Sequence, residues 1–145
     1  MEWIDALHGK TVGLDTAPLI YFIEENPTYI ETIRPFFEAM DRGSFLVVTS
    51  TVTLLEVLVH PLRSNNRELA AEYRDILLNS RLTTLEISSA IAEQAARLRA
   101  MYNIRTPDAI QIGAALNADA THFFTNDIRL PEIPSIHILS LDALA

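Results

Sequence analysis

A chain of 145 residues that is 49% hydrophobic, with only four glycines, has the length and apolar content of one folded domain over 1–145 and not of a disordered chain. Cysteine is absent, which excludes disulfides and thiolate metal sites, and no apolar run approaches the ~20 residues that span a bilayer, so no membrane association and a cytoplasmic location are expected. The net charge of −8 excludes a broad basic surface that alone would hold nucleic acid, whereas a small patch with bound divalent cations reverses the field locally.

Met1–His8 is predicted as a short amphipathic helix with Trp3, Ile4 and Leu7 on one side, ended by Gly9. Val12–Leu14 reads as a short buried strand with Asp15 at its carboxyl end, and Thr16-Ala17-Pro18 opens a helix through Ile23. In an open α/β sheet, ligands collect beyond the carboxyl ends of strands, which makes Asp15 a candidate. After Pro27, residues Tyr29, Ile30, Ile33, Phe36, Phe37 and Met40 recur at helical spacing, and their aromatic stripe suits packing better than base stacking. A turn at Asp41-Arg42-Gly43-Ser44 leads into a second strand, Phe45–Thr49.

Ser50 or Thr51 caps the next helix, predicted to run to about Val59 with Pro61 near its stop. Val52, Leu55 and Val59 share one face and Leu54 and Leu58 another, which squeezes Glu56 between apolar neighbours. His60, Arg63 and Asn65-Asn66-Arg67 form a polar edge, and Arg63 and Arg67 suit an RNA backbone or plain solvent equally. A helix over Glu68–Leu78 and partial strand character over Leu82–Ile87 follow. Ser88 or Ser89 then caps a helix from Ala90 to Met101, whose small residues permit close helix packing. Arg97, Arg99 and Arg105 form the most basic cluster, suited to phosphates or, more simply, to a solvated face.

Thr106 is read as an N-cap, Pro107 as N1 and Asp108 as N2, at the dipole-favoured end of a helix that has almost no polar face. Thr121–Thr125 forms the next strand, with Asn126-Asp127 at its exit, and Ile136–Leu139 adds an edge strand. The alternation predicts a three-layer α/β/α domain with a mainly parallel sheet, without a second domain or repeat.

Asp15, Glu56, Asp108 and Asp127 each lie in or beside an apolar run at such a junction, which suggests one shared site. Hard ions such as Mg²⁺ or Mn²⁺ prefer oxygen ligands, and an open carboxylate cluster binds them against a phosphodiester. Competing chemistries lack their motifs: there is no phosphate loop, dinucleotide loop, Gly-x-Ser-x-Gly elbow or His-x-x-x-His pair, and the four histidines show no ligand spacing. A phosphoacceptor receiver domain needs a lysine near its site, and the only lysine, Lys10, precedes the first strand.

The order and context of the four acids, in Leu14-Asp15-Thr16-Ala17, Thr53-Leu54-Leu55-Glu56-Val57, Thr106-Pro107-Asp108-Ala109 and Thr125-Asn126-Asp127, resemble the PIN-domain proteins, and among them the small VapC-type toxin ribonucleases of toxin–antitoxin pairs. The resemblance covers nearly the whole chain. It implies a PIN-like fold and hydrolysis of RNA by metal-activated water. Asp15, Glu56 and Asp108 would be the principal metal ligands, and Asp127 would complete a second metal position or hold a metal-bound water. Thr125 would steady this network through its hydroxyl; Thr16 would do the same or simply cap its helix. It also implies a homodimer and a cognate antitoxin whose tail occludes the site. A PIN nuclease in RNA processing or DNA-directed cleavage without a toxin role, and an inactive PIN-fold protein-binding module, are the other readings.

Overall fold

The computed structural model describes residues 1–127 and 129–144. Five strands, β1 (Thr11–Leu14), β2 (Leu46–Ser50), β3 (Thr83–Leu85), β4 (His122–Thr125) and β5 (His137–Ser140), form one sheet in the order β3-β2-β1-β4-β5. Every pairing in it is parallel, including Val12 with Val47 on one side of β1 and with His122 on the other. The expected mainly parallel sheet is thus parallel throughout the described strands. Strand order reverses direction at β1, the point where open parallel sheets leave a crevice at their carboxyl ends.

The helices are α1 (Glu2–Asp5), α2 (Thr16–Ile23), α3 (Ile30–Asp41), α4 (Thr51–Arg63), α5 (Arg67–Leu78), α6 (Ser89–Met101), α7 (Thr106–Asn117) and α8 (Leu141–Leu144). Side-chain alternation along the strands divides the interior in two. Val12, Leu14 and Phe124 belong to a core with Phe36, Phe37, Tyr73 and Leu77. Phe123, on the opposite face, joins Ala95, Leu98, Ala109, Ile112 and Ala115 of α6 and α7. The stripe of α3 is therefore packing: Phe36 and Phe37 are wholly enclosed, and Phe22 stacks on Phe37. No helix among the described residues is long and apolar enough to cross a membrane.

Small residues let α6 and α7 meet closely. A methyl on Gly113 would lie 3.2 Å from the backbone nitrogen of Ala95 and 3.3 Å from the Ile91 carbonyl. The caps of α4, α5 and α6 are side-chain oxygens of Ser50, Asn66 and Ser88, accepting from the amides of Val52, Leu69 and Ile91.

Several boundaries differ from the sequence reading. Helix α1 is only four residues long before irregular turns reach Gly9. Helix α4 passes through Pro61 to Arg63, and Thr53, Val57 and Pro61 form its buried stripe. Burial of the Pro61 ring in that stripe offsets the single helical hydrogen bond it removes. The same rotation turns Leu55 (66% exposed) and Val59 (43%) to solvent and leaves Glu56 exposed, not squeezed between apolar neighbours. Helix α7 starts one residue earlier than expected: Arg105 is its N-cap and Thr106 its first residue, with no side-chain cap.

Candidate active site

Asp15 follows the last residue of β1 and is the N-cap of α2. Its Oδ1 accepts the Thr16 amide at 2.9 Å, and its backbone N–H donates to the Phe124 carbonyl at 2.9 Å. Its Oδ2 accepts the Thr125 hydroxyl at 2.7 Å, and Thr125 Oγ1 in turn accepts the Asp127 amide at 3.0 Å. One hydroxyl at the end of β4 thereby ties two of the four acids together. Burial raises the pKa of Asp15; its bonds to Thr125 and Thr16 oppose the rise, and the charges of Asp108 and Glu56 add to it.

Glu56, on the second turn of α4, accepts the Thr16 hydroxyl at 2.6 Å. The hydroxyl that sequence reasoning left between two roles thus goes to a carboxylate. Asp108 is buried at the start of α7 and accepts Arg105 Nε at 3.2 Å. Asp127 is held on both oxygens by Arg129, from Nε to Oδ1 at 3.0 Å and from Nη2 to Oδ2 at 3.1 Å. This hydrogen-bonded guanidinium pulls the Asp127 pKa down.

All four acids line one open cleft of about 530 Å³, together with Thr16, Tyr21, Arg105, Asn126 and Arg129. Elements β1, α4, α7 and the exit of β4 each contribute one carboxylate. Among the described residues, no three acidic or histidine side chains stand close enough to cage an ion by themselves. The cleft is an all-oxygen donor set with two nearby arginines. Its excess of negative charge is felt at Asp15.

Below the cleft lies a buried polar cluster. Gln111 Oε1 accepts the Ser50 hydroxyl at 2.7 Å, while its Nε2 donates to Thr53 and, at 3.3 Å, to Thr16. Thr49 gives its proton to the Leu14 carbonyl at 2.9 Å, and Thr16 gives its own to Glu56. Thr53 then donates to Thr49 or Thr16, at 2.9 and 3.0 Å. Gln111 fixes this chain by filling one acceptor site on each of Thr16 and Thr53, so the Thr16 proton points to Glu56. Sequence reading passed over Gln111 and saw Ser50 only as a helix cap. A single amide between Asp108 and Asn117 on an otherwise apolar helix was the signal available.

Replacing Gln111 with Leu, which fills the volume without polar atoms, is expected to cost about 1–3 kcal/mol, because Ser50 and Thr53 lose buried partners. Urea denaturation would measure it. A change below about 0.5 kcal/mol would show that the hydroxyls pair among themselves without the amide.

The sequence matches the PIN domain family over residues 12–136. The chain belongs to the PIN-domain family. No curated protein sequence matches it significantly. Among solved structures it is similar to VapBC2 from Rickettsia felis, crystallised with a DNA fragment from its promoter, at 20% identity and a TM-score of 0.70, covering 90% of this chain and 98% of that one. A toxin–antitoxin complex from Klebsiella pneumoniae is 22% identical with a TM-score of 0.68, covering 90% and 97%. Mycobacterium tuberculosis VapC20, described as a toxin that cleaves the sarcin–ricin loop, is 15% identical with a TM-score of 0.66, covering 82% and 91%. In the PIN fold of this chain, the acidic cleft lies at the carboxyl ends of β1 and β4, beside the switch in strand order.

Proposed function

We propose that this PIN-domain chain, acting as a single domain over 1–145, is a divalent-metal-dependent endoribonuclease and the toxin of a toxin–antitoxin pair. The observation that carries the reading is the convergence of Asp15, Glu56, Asp108 and Asp127 on one cleft from four separate elements. Carboxylates brought together without a cation repel, and burial and mutual charge penalise ionised Asp15. The donor set fits Mg²⁺ or Mn²⁺, since such ions keep several waters and take only a few carboxylates directly, so no complete protein cage is needed.

Asp15, Glu56 and Asp108 are the ligands in this reading, with Asp127 beside them. When bound, the ion supplies an acidified water and stabilises charge on the phosphate. The chain's own part is positional. Thr125 and the Thr16 amide fix both oxygens of Asp15, the Thr16 hydroxyl fixes Glu56, and Arg105 fixes Asp108. RNA as substrate and an antitoxin as partner are supported by the similar structures, which include a toxin–antitoxin complex and a toxin that cleaves the sarcin–ricin loop. A homodimer and a cytoplasmic setting complete the proposal.

The test is cleavage of fluorescently labelled RNA alongside Mn²⁺ binding measured by electron paramagnetic resonance. Cleavage in Mg²⁺ or Mn²⁺, its loss in EDTA and its return on adding metal are expected. Absence of both Mn²⁺ binding at millimolar concentration and of cleavage would move the protein-binding-module reading ahead. Toxicity on expression, cured by a neighbouring gene's product, separates a toxin from an RNA-processing or DNA-directed enzyme.

A further inference from the structure

Two arginines stand among the acids in the cleft. Arg105 uses one N–H, at Nε, on Asp108; Arg129 uses its Nε and Nη2 edge on Asp127. A guanidinium carries five N–H donors in a planar fork, so both keep donors that the carboxylates do not occupy. The side chains are 67% and 72% exposed, which leaves those donors in solvent. Each arginine is nevertheless tethered, by an i,i+3 contact in one case and by a two-pronged contact in the other.

Both arginines line the acidic cleft and also a smaller open pocket beside it, of about 110 Å³, whose lining Asn103, Ile104 and Leu130 complete. Asp108 and Asp127 belong to both cavities. The smaller one holds the equivalent of ~4 waters, a size for a phosphate group and its hydration. Both arginines line this same small space, so the two cations act over it together.

We infer that Arg105 and Arg129 form a phosphate subsite, which holds the RNA backbone next to the bond placed in the acidic cleft. The inference rests on the ribonuclease reading and deepens it. Guanidinium is the side chain best matched to the paired oxygens of a phosphate. A carboxylate behind each arginine pre-orders it, so less rotamer freedom is lost when the strand binds. The arrangement also answers the net charge of −8: the chain has no broad basic face, and it places two fixed cations where the strand must lie. In the bound strand, one phosphate meets the unused arginine donors while its neighbour lies over Asp15 and Asp108.

The experiment measures binding of a fluorescent single-stranded RNA by anisotropy, in EDTA and across a salt series, for the parent chain, Arg105→Gln, Arg129→Gln and Arg129→Lys. Mn²⁺ binding and steady-state cleavage are measured on the same proteins. Each glutamine variant is expected to bind RNA about tenfold more weakly with a shallower salt dependence and to raise KM more than it lowers kcat, and Arg129→Gln to bind Mn²⁺ at least as tightly as the parent. Arg129→Lys keeps the charge but loses the fork, so it recovers the salt dependence and only part of the affinity. Unchanged RNA affinity and salt slope together with tighter Mn²⁺ binding would overturn the inference and make the arginines counter-ions of the acids. A parent chain that binds no RNA defeats the ribonuclease reading itself; a parent that binds and variants that bind equally defeat only the subsite.

Discussion

Asp15→Asn is expected to lower metal-dependent cleavage by about 10²–10⁴-fold, the equivalent of the several kcal/mol that a bound cation contributes to a transition state. The fold should survive. Asparagine keeps one acceptor for the Thr16 amide, and its amide group faces Thr125, whose hydroxyl oxygen has room to accept. What disappears is the anionic ligand of the proposed metal site. Metal-free stability should hold or rise, and the sign follows from the raised pKa of Asp15. The folded state holds the proton more tightly than the unfolded chain does. Stability in EDTA therefore falls as pH climbs from the ordinary value of 3.8 through the raised one, and at neutral pH the ionised carboxylate carries that cost. Asparagine removes it. Thermal melts with and without Mn²⁺ check both halves: the parent gains stability on adding metal, and the variant should gain little. A variant that retains more than about a tenth of parental cleavage would place the essential ligand elsewhere.

The second large effect is structural and starts at Gly13, in the middle of β1. A methyl there would lie 2.5 Å from the Cβ of Ala115 and 2.9 Å from Cδ1 of Phe123. Neither neighbour yields. The Ala115 methyl is fixed to the α7 backbone, and both residues are buried. Gly13→Ala must push α7 off the sheet, at a cost of about 1–3 kcal/mol or more, which exceeds the roughly 0.5–1 kcal/mol that alanine gains over glycine in a strand. Because α7 carries Asp108, cleavage should fall along with stability. The double substitution Gly13→Ala with Ala115→Gly returns the missing space, so its loss should be smaller than the sum of the two single losses. Urea denaturation of the four proteins measures this coupling. Additive losses would mean that the sheet, not the contact with α7, sets the cost.

Much of this architecture was legible in local chemistry. Ser50 or Thr51, and Ser88 or Ser89, were the expected helix caps, and Ser50 and Ser88 are the ones that accept an amide. The strands around Val12, Val47 and Phe123 show as short apolar runs bounded by turn residues. The four acids were recognisable because each lies in or beside an apolar run. Tertiary choices were hidden. Helix α4 has two apolar stripes, and periodicity does not say that Thr53, Val57 and Pro61 face inward while Leu55 and Val59 face water. Gln111 became meaningful only when β2 and α4 brought Ser50 and Thr53 to it across about 60 positions of sequence. The Asp127–Arg129 pair spans two positions and was open to inspection, but an exposed arginine has many uses until a cavity forms beside it.

The bond from Thr125 to Asp15 joins residues 110 positions apart, and β4 pairs directly with central β1. During synthesis, β1 can pair early with β2, but its other edge stays open until residues 122–125 have left the ribosome. Closing so distant a contact is among the slower steps of folding. The sequence order of the strands thus acts as a clock: a nascent chain lacks half of its central pairing, and the hydroxyl that orients Asp15, until β4 emerges.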